Sequence, residues 1–231
     1  MKEIFFVRHG QASFGKENYD ELSDLGIFQS IKLGDYFQKE EIKFDYCIIG
    51  TMLRHRQTMQ NSILNLKESP TQFFETSILN EFSESLWRKL AHEISTENLE
   101  FANLANKVLQ NKTHRNRLFF RLAEWILTEW KRGRTPAGEE SYSEFRKRVL
   151  SFPEFLEKLN SKGKTGIVFS SGTPISLLLS HYTQISSENE LNWLPYLWNT
   201  SLSSLHIRGE RTFFSSINNV PHLDKKQRTL V

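Results

Sequence analysis

The chain has 231 residues, 38% of them hydrophobic and 25% charged, which fits a soluble globular protein built from one large α/β domain or two small ones. No apolar run approaches the ~20 residues that cross a bilayer, and the run at residues 4–7 is shorter than the ~7–15 apolar residues of a secretory signal, so we expect a cytoplasmic protein without a membrane segment. The net charge of +3 gives no sign of a nucleic-acid-binding surface, and Cys47, as the only cysteine, excludes an intrachain disulfide and a cysteine-based metal cluster.

The first predicted element is the apolar run at residues 4–7, which is followed by Arg8, His9 and Gly10. Four apolar residues of β-branched and aromatic type, closed by a glycine, predict a strand that is buried on both faces, as in a parallel sheet flanked by helices. Ligands of such sheets bind beyond the carboxyl ends of the strands, so Arg8 and His9 are candidate site residues. The sequence at residues 7–10 resembles the signature of the histidine phosphatase superfamily, the phosphoglycerate mutase-like proteins.

A helix is predicted from the N-cap Ser23 to about Gln38, with one apolar face along its length. Gly26 predicts that this helix packs closely against a neighbour. The segment also resembles the superfamily, whose members carry a leucine, a small hydroxyl residue, a glycine and a glutamine at the spacing of Leu22, Ser23, Gly26 and Gln29.

A second strand is predicted at residues 44–49, and the helix that follows begins within residues 51–59. Its first turn should point to the same sheet edge as His9, where unpaired amides and the helix dipole attract anions. The resemblance places a phosphate-binding arginine three residues before a Gln-Thr pair, which is Arg54 before Gln57 and Thr58. His55 and Arg56 lie beside it and receive no role.

A third strand is predicted at residues 72–76, and the resemblance places the catalytic acid after it at Glu81, with Glu84 as the nearest alternative. Residues 84–134 are predicted to form a helical insert, because apolar residues recur with helical spacing between residues 118 and 126. The second half of the insert is basic. A solvated charged face is the favoured interpretation, over a role in steering the substrate.

A fourth strand is predicted from Thr165 and ends in a small-residue turn at Ser171 and Gly172, before a helix with Pro174 in its first turn. Two further strands are predicted at residues 202–207 and 212–217. Superfamily members carry a second histidine before a glycine at the end of the fourth strand, and Ser171 occupies that position here. A serine-hydrolase site at Ser171 is disfavoured, because the Gly-x-Ser-x-Gly turn is missing.

The replacement of that histidine leaves two accounts open. Serine donates one hydrogen bond but carries no charge, so the site is weakened and Ser171→His should raise turnover. Alternatively another group, with His222 as the first candidate, replaces the donor.

These elements predict a three-layer α/β fold with a mostly parallel central sheet, phosphoglycerate mutase-like. We expect a single domain over residues 1–231, with the helical insert at about 84–134. The predicted function is a metal-independent phosphomonoester phosphatase that acts through a phosphohistidine and needs no cofactor. A family member that binds a phosphorylated ligand or protein partner without turnover is the alternative, and a phosphoglycerate mutase is a weaker one.

The resemblance implies a role for each site residue. His9 and Glu81 are the predicted nucleophile and acid, and Arg8, Arg54 and Ser171 are predicted to bind the phosphate. Further pocket residues are predicted at Gln11, Ser13 and Gly172. The expected partner is a phosphorylated small molecule or a phosphoprotein, without nucleic acid or membrane, and its identity is left open.

Overall fold

The computed structural model describes residues 2–13, 20–64, 66–110, 115–159, 161, 163–209 and 211–230, without the side chains of residues 115 and 116. The chain forms two compact units. The first combines Met1–Glu81 with Val149–Val231, and the second is Phe82–Arg148. The predicted insert boundaries at about 84–134 stay a prediction.

The first unit contains a six-stranded sheet with the strand order β3-β2-β4-β1-β5-β6. The strands β1 to β4 pair in parallel, whereas β5 and β6 are antiparallel additions at one side. This mostly parallel sheet confirms the predicted fold class. In chain order the strands are β1 Lys2–Arg8, β2 Tyr46–Ile49, β3 Gln72–Glu75, β4 Thr165–Ser170, β5 Leu202–Arg208 and β6 Arg211–Asn219.

Eight α-helices lie within the described residues, and the predicted helices are among them. They are α1 Asp24–Lys39, α2 Leu53–Ile63, α3 Glu84–Glu97, α4 Leu99–Gln110, α5 Arg115–Lys131, α6 Tyr142–Leu150, α7 Phe152–Lys158 and α8 Gly172–Tyr182. Within the described chain, no helix is both long enough and apolar enough to cross a membrane.

The core of the first unit lies between the sheet and the helices α1 and α2. Both faces of β2 are buried, as expected for a parallel strand covered by helices. Burial raises the pKa of the Cys47 thiol, so this cysteine is an unreactive core residue. The buried cluster consists of Val7, Leu33, Phe37, Phe44, Cys47, Ile49, Met59, Ile63, Ile167, Phe169 and Leu202.

The helix α1 begins where the sequence predicts it. Ser23 is its N-cap, and the side chain of Ser23 accepts a hydrogen bond of 3.1 Å from the amide of Gly26. Gly26 does allow a close approach, but to the loop after β1 rather than to another helix. A Cβ atom at this residue would lie 2.1 Å from the carbonyl oxygen of Gln11.

The second unit is built mainly from α3, α4 and α5. The predicted apolar spacing in α5 is confirmed, since Leu122 and Ile126 are buried there. Arg134 donates a hydrogen bond of 2.8 Å to Glu97 and also pairs with Glu93, so part of the basic charge of this unit is neutralised within it. Two of the basic residues of the predicted insert, at 112 and 114, lie outside the described residues.

Candidate functional site

The site is organised by two adjacent parallel strands that end at the same sheet edge. In the register of β1 and β4, Arg8 pairs with Ser170. The next residue of each strand, His9 and Ser171, therefore starts the connection to a helix at the same edge. The backbone amide of His9 donates a 2.9 Å hydrogen bond to the carbonyl oxygen of Ser170, which holds the two connections together.

His9 is 6% exposed, and its Nδ1 atom lies 2.7 Å from the carbonyl oxygen of Gly10. Because a carbonyl only accepts hydrogen bonds, Nδ1 carries a proton in this contact, and in the neutral ring Nε2 keeps its lone pair. Burial holds the pKa of His9 well below its ordinary value, with further lowering by Arg54, Arg8 and His55, and the Gly10 carbonyl opposes the shift only in part. His9 is therefore a neutral imidazole at pH 7.

The loop after β1 is fixed by the Gln-Thr pair of α2. The amide of Gly10 donates to the hydroxyl of Thr58 over 3.0 Å, and the side-chain oxygen of Gln57 accepts the amide of Leu22 over 2.8 Å. A Cβ atom at Gly10 would lie 2.5 Å from the carbonyl oxygen of Gly26, so a side chain there would displace the loop. These contacts hold the motif after His9 against the first half of α2.

Arg54 lies in the first turn of α2 and is 4% exposed. Its Nη1 atom donates to Asp20 Oδ1 over 2.7 Å, and its Nη2 atom donates to Ser171 Oγ over 3.4 Å. The other carboxylate oxygen of Asp20 accepts the amide of Leu53 over 2.8 Å and so caps α2. The Asp20 carboxylate is thus a partner of Arg54 within the protein itself.

Arg8 is half-buried and donates a hydrogen bond to the carbonyl oxygen of Leu197. Its guanidinium group also lies beside Gly172. A Cβ atom at residue 172 would be 3.4 Å from Arg8 Nε and 2.6 Å from a side-chain carbon of Leu194. Gly172 therefore leaves the space that Arg8 and Leu194 fill.

Glu81 follows the short 3-10 helix Ser77–Leu79 and lies at the N-terminus of α8. Its Oε2 atom accepts a 3.1 Å hydrogen bond from the amide of Thr173. The loop is tied to the end of β4, because the Ser170 hydroxyl donates to the carbonyl oxygen of Leu79 over 2.7 Å. This connection holds the Glu81 carboxyl near the residues that follow β4.

Ser171 and His55 form a fully buried pair. The Nε2 atom of His55 is 2.7 Å from Ser171 Oγ, and the ring centroids of His55 and His9 are 5.9 Å apart. Burial and the charge of Arg54 hold the pKa of His55 well below its ordinary value, and the backbone of Gly50 partly opposes them. His222, the donor first considered on sequence grounds, contacts Thr200 instead, with 2.9 Å between Nε2 and Oγ1.

The two remaining predicted pocket residues have structural contacts. The side-chain oxygen of Gln11 accepts the hydroxyl of Ser23 over 3.0 Å, next to the N-terminus of α1. Ser13 is buried, and its amide donates to the carbonyl oxygen of Glu21 over 2.7 Å. These contacts join Gln11 and Ser13 to the residues just before α1, and the part of both residues in ligand binding stays a prediction. No group of three or more His, Cys, Asp or Glu side chains that could hold a metal ion occurs in the described part of the chain.

Comparison with known proteins decides the family. The sequence profile of the histidine phosphatase superfamily (branch 1) matches residues 4–117 and 107–220. This chain belongs to the histidine phosphatase superfamily. Its similarity to a curated 2,3-bisphosphoglycerate-dependent phosphoglycerate mutase of Borreliella burgdorferi is 24% identity over 212 residues, which covers 83% of this chain and 82% of the mutase.

Solved structures show the same fold at low sequence identity. The alpha-ribazole phosphatase of Shigella flexneri superposes with a TM-score of 0.64 at 16% identity, covering 94% of this chain and 96% of that one. The phosphoserine phosphatase of Entamoeba histolytica, solved with 3-phosphoglyceric acid, gives 0.62 at 17% identity and covers 96% and 99%.

The sequence-based prediction of the site did not include two contacts that the structure shows within it. Asp20 and His55 received no role, although they contact Arg54 and Ser171. One signal for His55 was present in the sequence. A histidine lies directly beside the predicted phosphate-binding arginine, in a chain with serine at position 171, where the resemblance predicts a histidine.

Proposed function

We propose that the protein is a metal-independent phosphomonoester phosphatase that acts through a phosphohistidine on His9. The observation that carries this proposal is the state of His9, a buried neutral imidazole whose Nδ1 is held by the Gly10 carbonyl. Its Nε2 lone pair is then available for attack, and two guanidinium groups, Arg8 and Arg54, are close enough to lower its pKa. A neutral nucleophile beside fixed cations suits attack on an anionic phosphate ester.

In the first step, Nε2 of His9 forms a bond to phosphorus while the bond from phosphorus to the ester oxygen breaks. Arg8 and Arg54 bind the phosphoryl oxygens, since the guanidinium fork matches their geometry. Glu81 gives a proton to the leaving oxygen, which departs as an alcohol.

In the second step, the Glu81 carboxylate takes a proton from water as the water oxygen bonds to phosphorus. The bond between phosphorus and Nε2 breaks, inorganic phosphate leaves, and His9 and protonated Glu81 are restored. Glu81 is suited to both steps, because its carboxyl group is fixed at the N-terminus of α8 by the Thr173 amide.

The relatives support a phosphorylated small molecule as the substrate class. Phosphoserine, alpha-ribazole phosphate and phosphoglycerate are the compounds that the names of the similar proteins indicate. They share a phosphate group on a small polar body, and we assign the substrate of this protein to that class without choosing one member.

A phosphoglycerate mutase is the second candidate, because the curated relative at 24% identity carries that activity. A mutase needs further cations for the carboxylate and second phosphate of its substrate. Arg134, the residue nearest to the expected position of such a segment, is paired with Glu97 and Glu93. This pairing favours the phosphatase.

Release of inorganic phosphate from a panel of phosphorylated metabolites tests the proposal, with wild type and His9→Ala compared in the presence and absence of EDTA. We expect turnover by the wild type that EDTA leaves unchanged and that His9→Ala abolishes. Acid-labile, base-stable phosphate on the denatured wild-type protein would identify the phosphohistidine. Interconversion of 3-phosphoglycerate and 2-phosphoglycerate faster than hydrolysis would favour the mutase, and phosphate binding without any turnover would favour the non-catalytic alternative.

A further inference from the structure

His55 is a buried imidazole that the proposed reaction leaves without a role. Its ring is fully buried, it lies in the first turn of α2, and its centroid is 5.9 Å from that of His9. A polar group buried at this depth is costly unless a partner compensates it. Ionisable groups with such environments beside a reactive centre are candidates for functional residues.

The side chain of Ser171 contacts His55 and does not cap the helix α8. Ser171 is the N-cap residue of α8, a position where serine normally accepts a hydrogen bond from an amide of the first turn. Its side chain makes no such bond, and its Oγ lies 2.7 Å from His55 Nε2 and 3.4 Å from Arg54 Nη2. The amide of Thr173 bonds to Glu81 instead. The hydroxyl of Ser171 is therefore committed to the site and not to the helix.

We propose that His55 is a positioning residue for phosphoryl transfer, and that it acts through Ser171. The two side chains form a donor chain that brings a hydrogen bond and, on protonation of the imidazole, a positive charge to the phosphoryl group. This pair takes the place of the single histidine that superfamily members carry at position 171. The inference rests on the proposed function, because it places the phosphoryl group beside Ser171 and Arg54.

The protons in this chain can be followed. In the unliganded protein the neutral Nε2 of His55 accepts the hydroxyl proton of Ser171. A dianionic phosphoryl group beside Ser171 favours the charged form of the imidazole. A proton from solvent then binds to Nε2, the new N–H donates to Ser171 Oγ, and the hydroxyl proton turns to a phosphoryl oxygen. Only hydrogen bonds and one proton change position.

In the unliganded protein burial and the charge of Arg54 oppose protonation of His55, and a bound dianion reverses this balance. Arg54 precedes His55 on α2, Arg8 lies at the end of β1 with His9, Asp20 pairs with Arg54, and Glu81 lies at the start of α8. Glu81 is uncharged while it holds the proton for the leaving group. Two cations then face one carboxylate, and a bound dianion makes the site net negative until His55 is protonated.

The direct test moves the imidazole from position 55 to position 171. The variants His55→Ala, Ser171→His and the double variant His55→Ala/Ser171→His are compared with the wild type for kcat and KM on one phosphomonoester. His222→Ala is the matched control, because it also removes an imidazole, here a partly buried one, whose Nε2 contacts a hydroxyl, that of Thr200 at 2.9 Å. This control measures how much activity is lost when a histidine–hydroxyl contact is removed elsewhere in the fold.

We expect His55→Ala to lower kcat on the order of 100-fold, as for the loss of one transition-state donor, with a much smaller change in KM. Ser171→His alone should give no gain, because its ring would need the space that the His55 ring fills. The double variant should recover at least about tenfold over His55→Ala, and His222→Ala should stay near the wild type. A double variant no more active than His55→Ala, or an equal kcat loss in His222→Ala, would overturn the inference.

A second measurement needs no turnover. Calorimetric titration with sulfate in two buffers of different ionisation enthalpy gives the number of protons taken up on binding, and sulfate remains a dianion near neutral pH. Uptake should fall by as much as about one proton in His55→Gln, which keeps a polar group near Ser171 but does not titrate. If the wild type hydrolyses no phosphomonoester, the proposed function fails, and this difference still decides the role of His55. Equal uptake in both proteins, or no sulfate binding by the wild type, would overturn it.

Discussion

The Nδ1 atom of His9 lies 2.7 Å from the carbonyl oxygen of Gly10, the next residue in the chain. The backbone on either side is fixed as well, because the His9 amide donates to Ser170 and the His9 carbonyl accepts the side-chain amide of Asn199 over 3.1 Å. The orientation of the imidazole is therefore set by the protein before any ligand binds. Such preorganisation avoids the cost of ordering the nucleophile during the reaction.

The first prediction concerns the protonation of His9. Because burial, Arg54 and Arg8 lower its pKa, the ring should stay neutral as the pH falls through 6.5, the ordinary value for histidine. We expect imidazole ¹⁵N spectra to show the His9 ring in the Nδ1–H form from pH 7.5 to pH 5.5, with its signals assigned by their absence in His9→Gln. A His9 signal that titrates near 6.5 would contradict the buried, neutral nucleophile.

The second prediction separates the acid from the nucleophile. Glu81→Gln retains an oxygen that can accept the Thr173 amide, so the fold should be preserved, but it cannot donate the carboxyl proton. We expect the rate to fall on the order of 100-fold or more for phenyl phosphate and far less for 4-nitrophenyl phosphate, whose leaving group needs no proton. Equal losses for the two substrates would count against Glu81 as the acid.

The third prediction concerns Arg54, whose Nη1 and Nη2 atoms donate to two different groups, Asp20 and Ser171. Lysine carries the same charge but lacks the planar fork, so Arg54→Lys should not restore what Arg54→Ala loses. Each lost charge-assisted hydrogen bond is worth about 1.5–3 kcal/mol, which predicts phosphate binding about 10 to 100 times weaker in both variants. Titration with inorganic phosphate measures this, with Arg56→Lys, at an exposed arginine of the same helix, as the control. Wild-type affinity in Arg54→Lys would show that charge alone suffices.

Much of the fold follows from local sequence signals. Buried strands such as β2 are short apolar runs, and the helix α1 begins at a serine that caps it. The ends of β1 and β4 are also marked, since a glycine follows each within two residues. Because parallel strands end at one edge of a sheet, these signals suffice to bring residues 9 and 171 together.

The side-chain contacts within the site, by contrast, could not be predicted from the sequence. The bond between His55 and Ser171 joins residues 116 positions apart, and the pair between Arg54 and Asp20 depends on how a loop returns to α2. No periodicity or capping signal specifies such contacts. They follow from the packing of three separate chain segments, which only the tertiary structure defines. For the same reason the sequence favoured His222 as a replacement donor, although its ring contacts Thr200.

The last prediction follows from the buried histidines and concerns stability. A histidine whose pKa is lowered in the folded protein is protonated at a higher pH in the unfolded chain than in the folded protein. Acidification therefore favours unfolding. The contribution of such a histidine to the free energy of unfolding is fully present above its pKa in the unfolded chain, about 6.5. This contribution is lost as the pH falls below that value, towards the lower pKa of the folded state. For His55, which is fully buried with a strongly lowered pKa, the loss approaches about 1.4 kcal/mol per pH unit.

Urea unfolding of wild type and His55→Gln at pH 7, 6 and 5 measures this contribution. The free energy of unfolding should depend less steeply on pH in His55→Gln, by about 1.4 kcal/mol per unit below pH 6. His92→Gln, at an exposed position on α3, controls for the substitution itself. Glutamine also removes the imidazole from Ser171, so an overall loss of stability at every pH is expected and leaves the slope interpretable. Equal slopes in the two proteins would mean that His55 takes up a proton as readily in the folded state as in the unfolded chain.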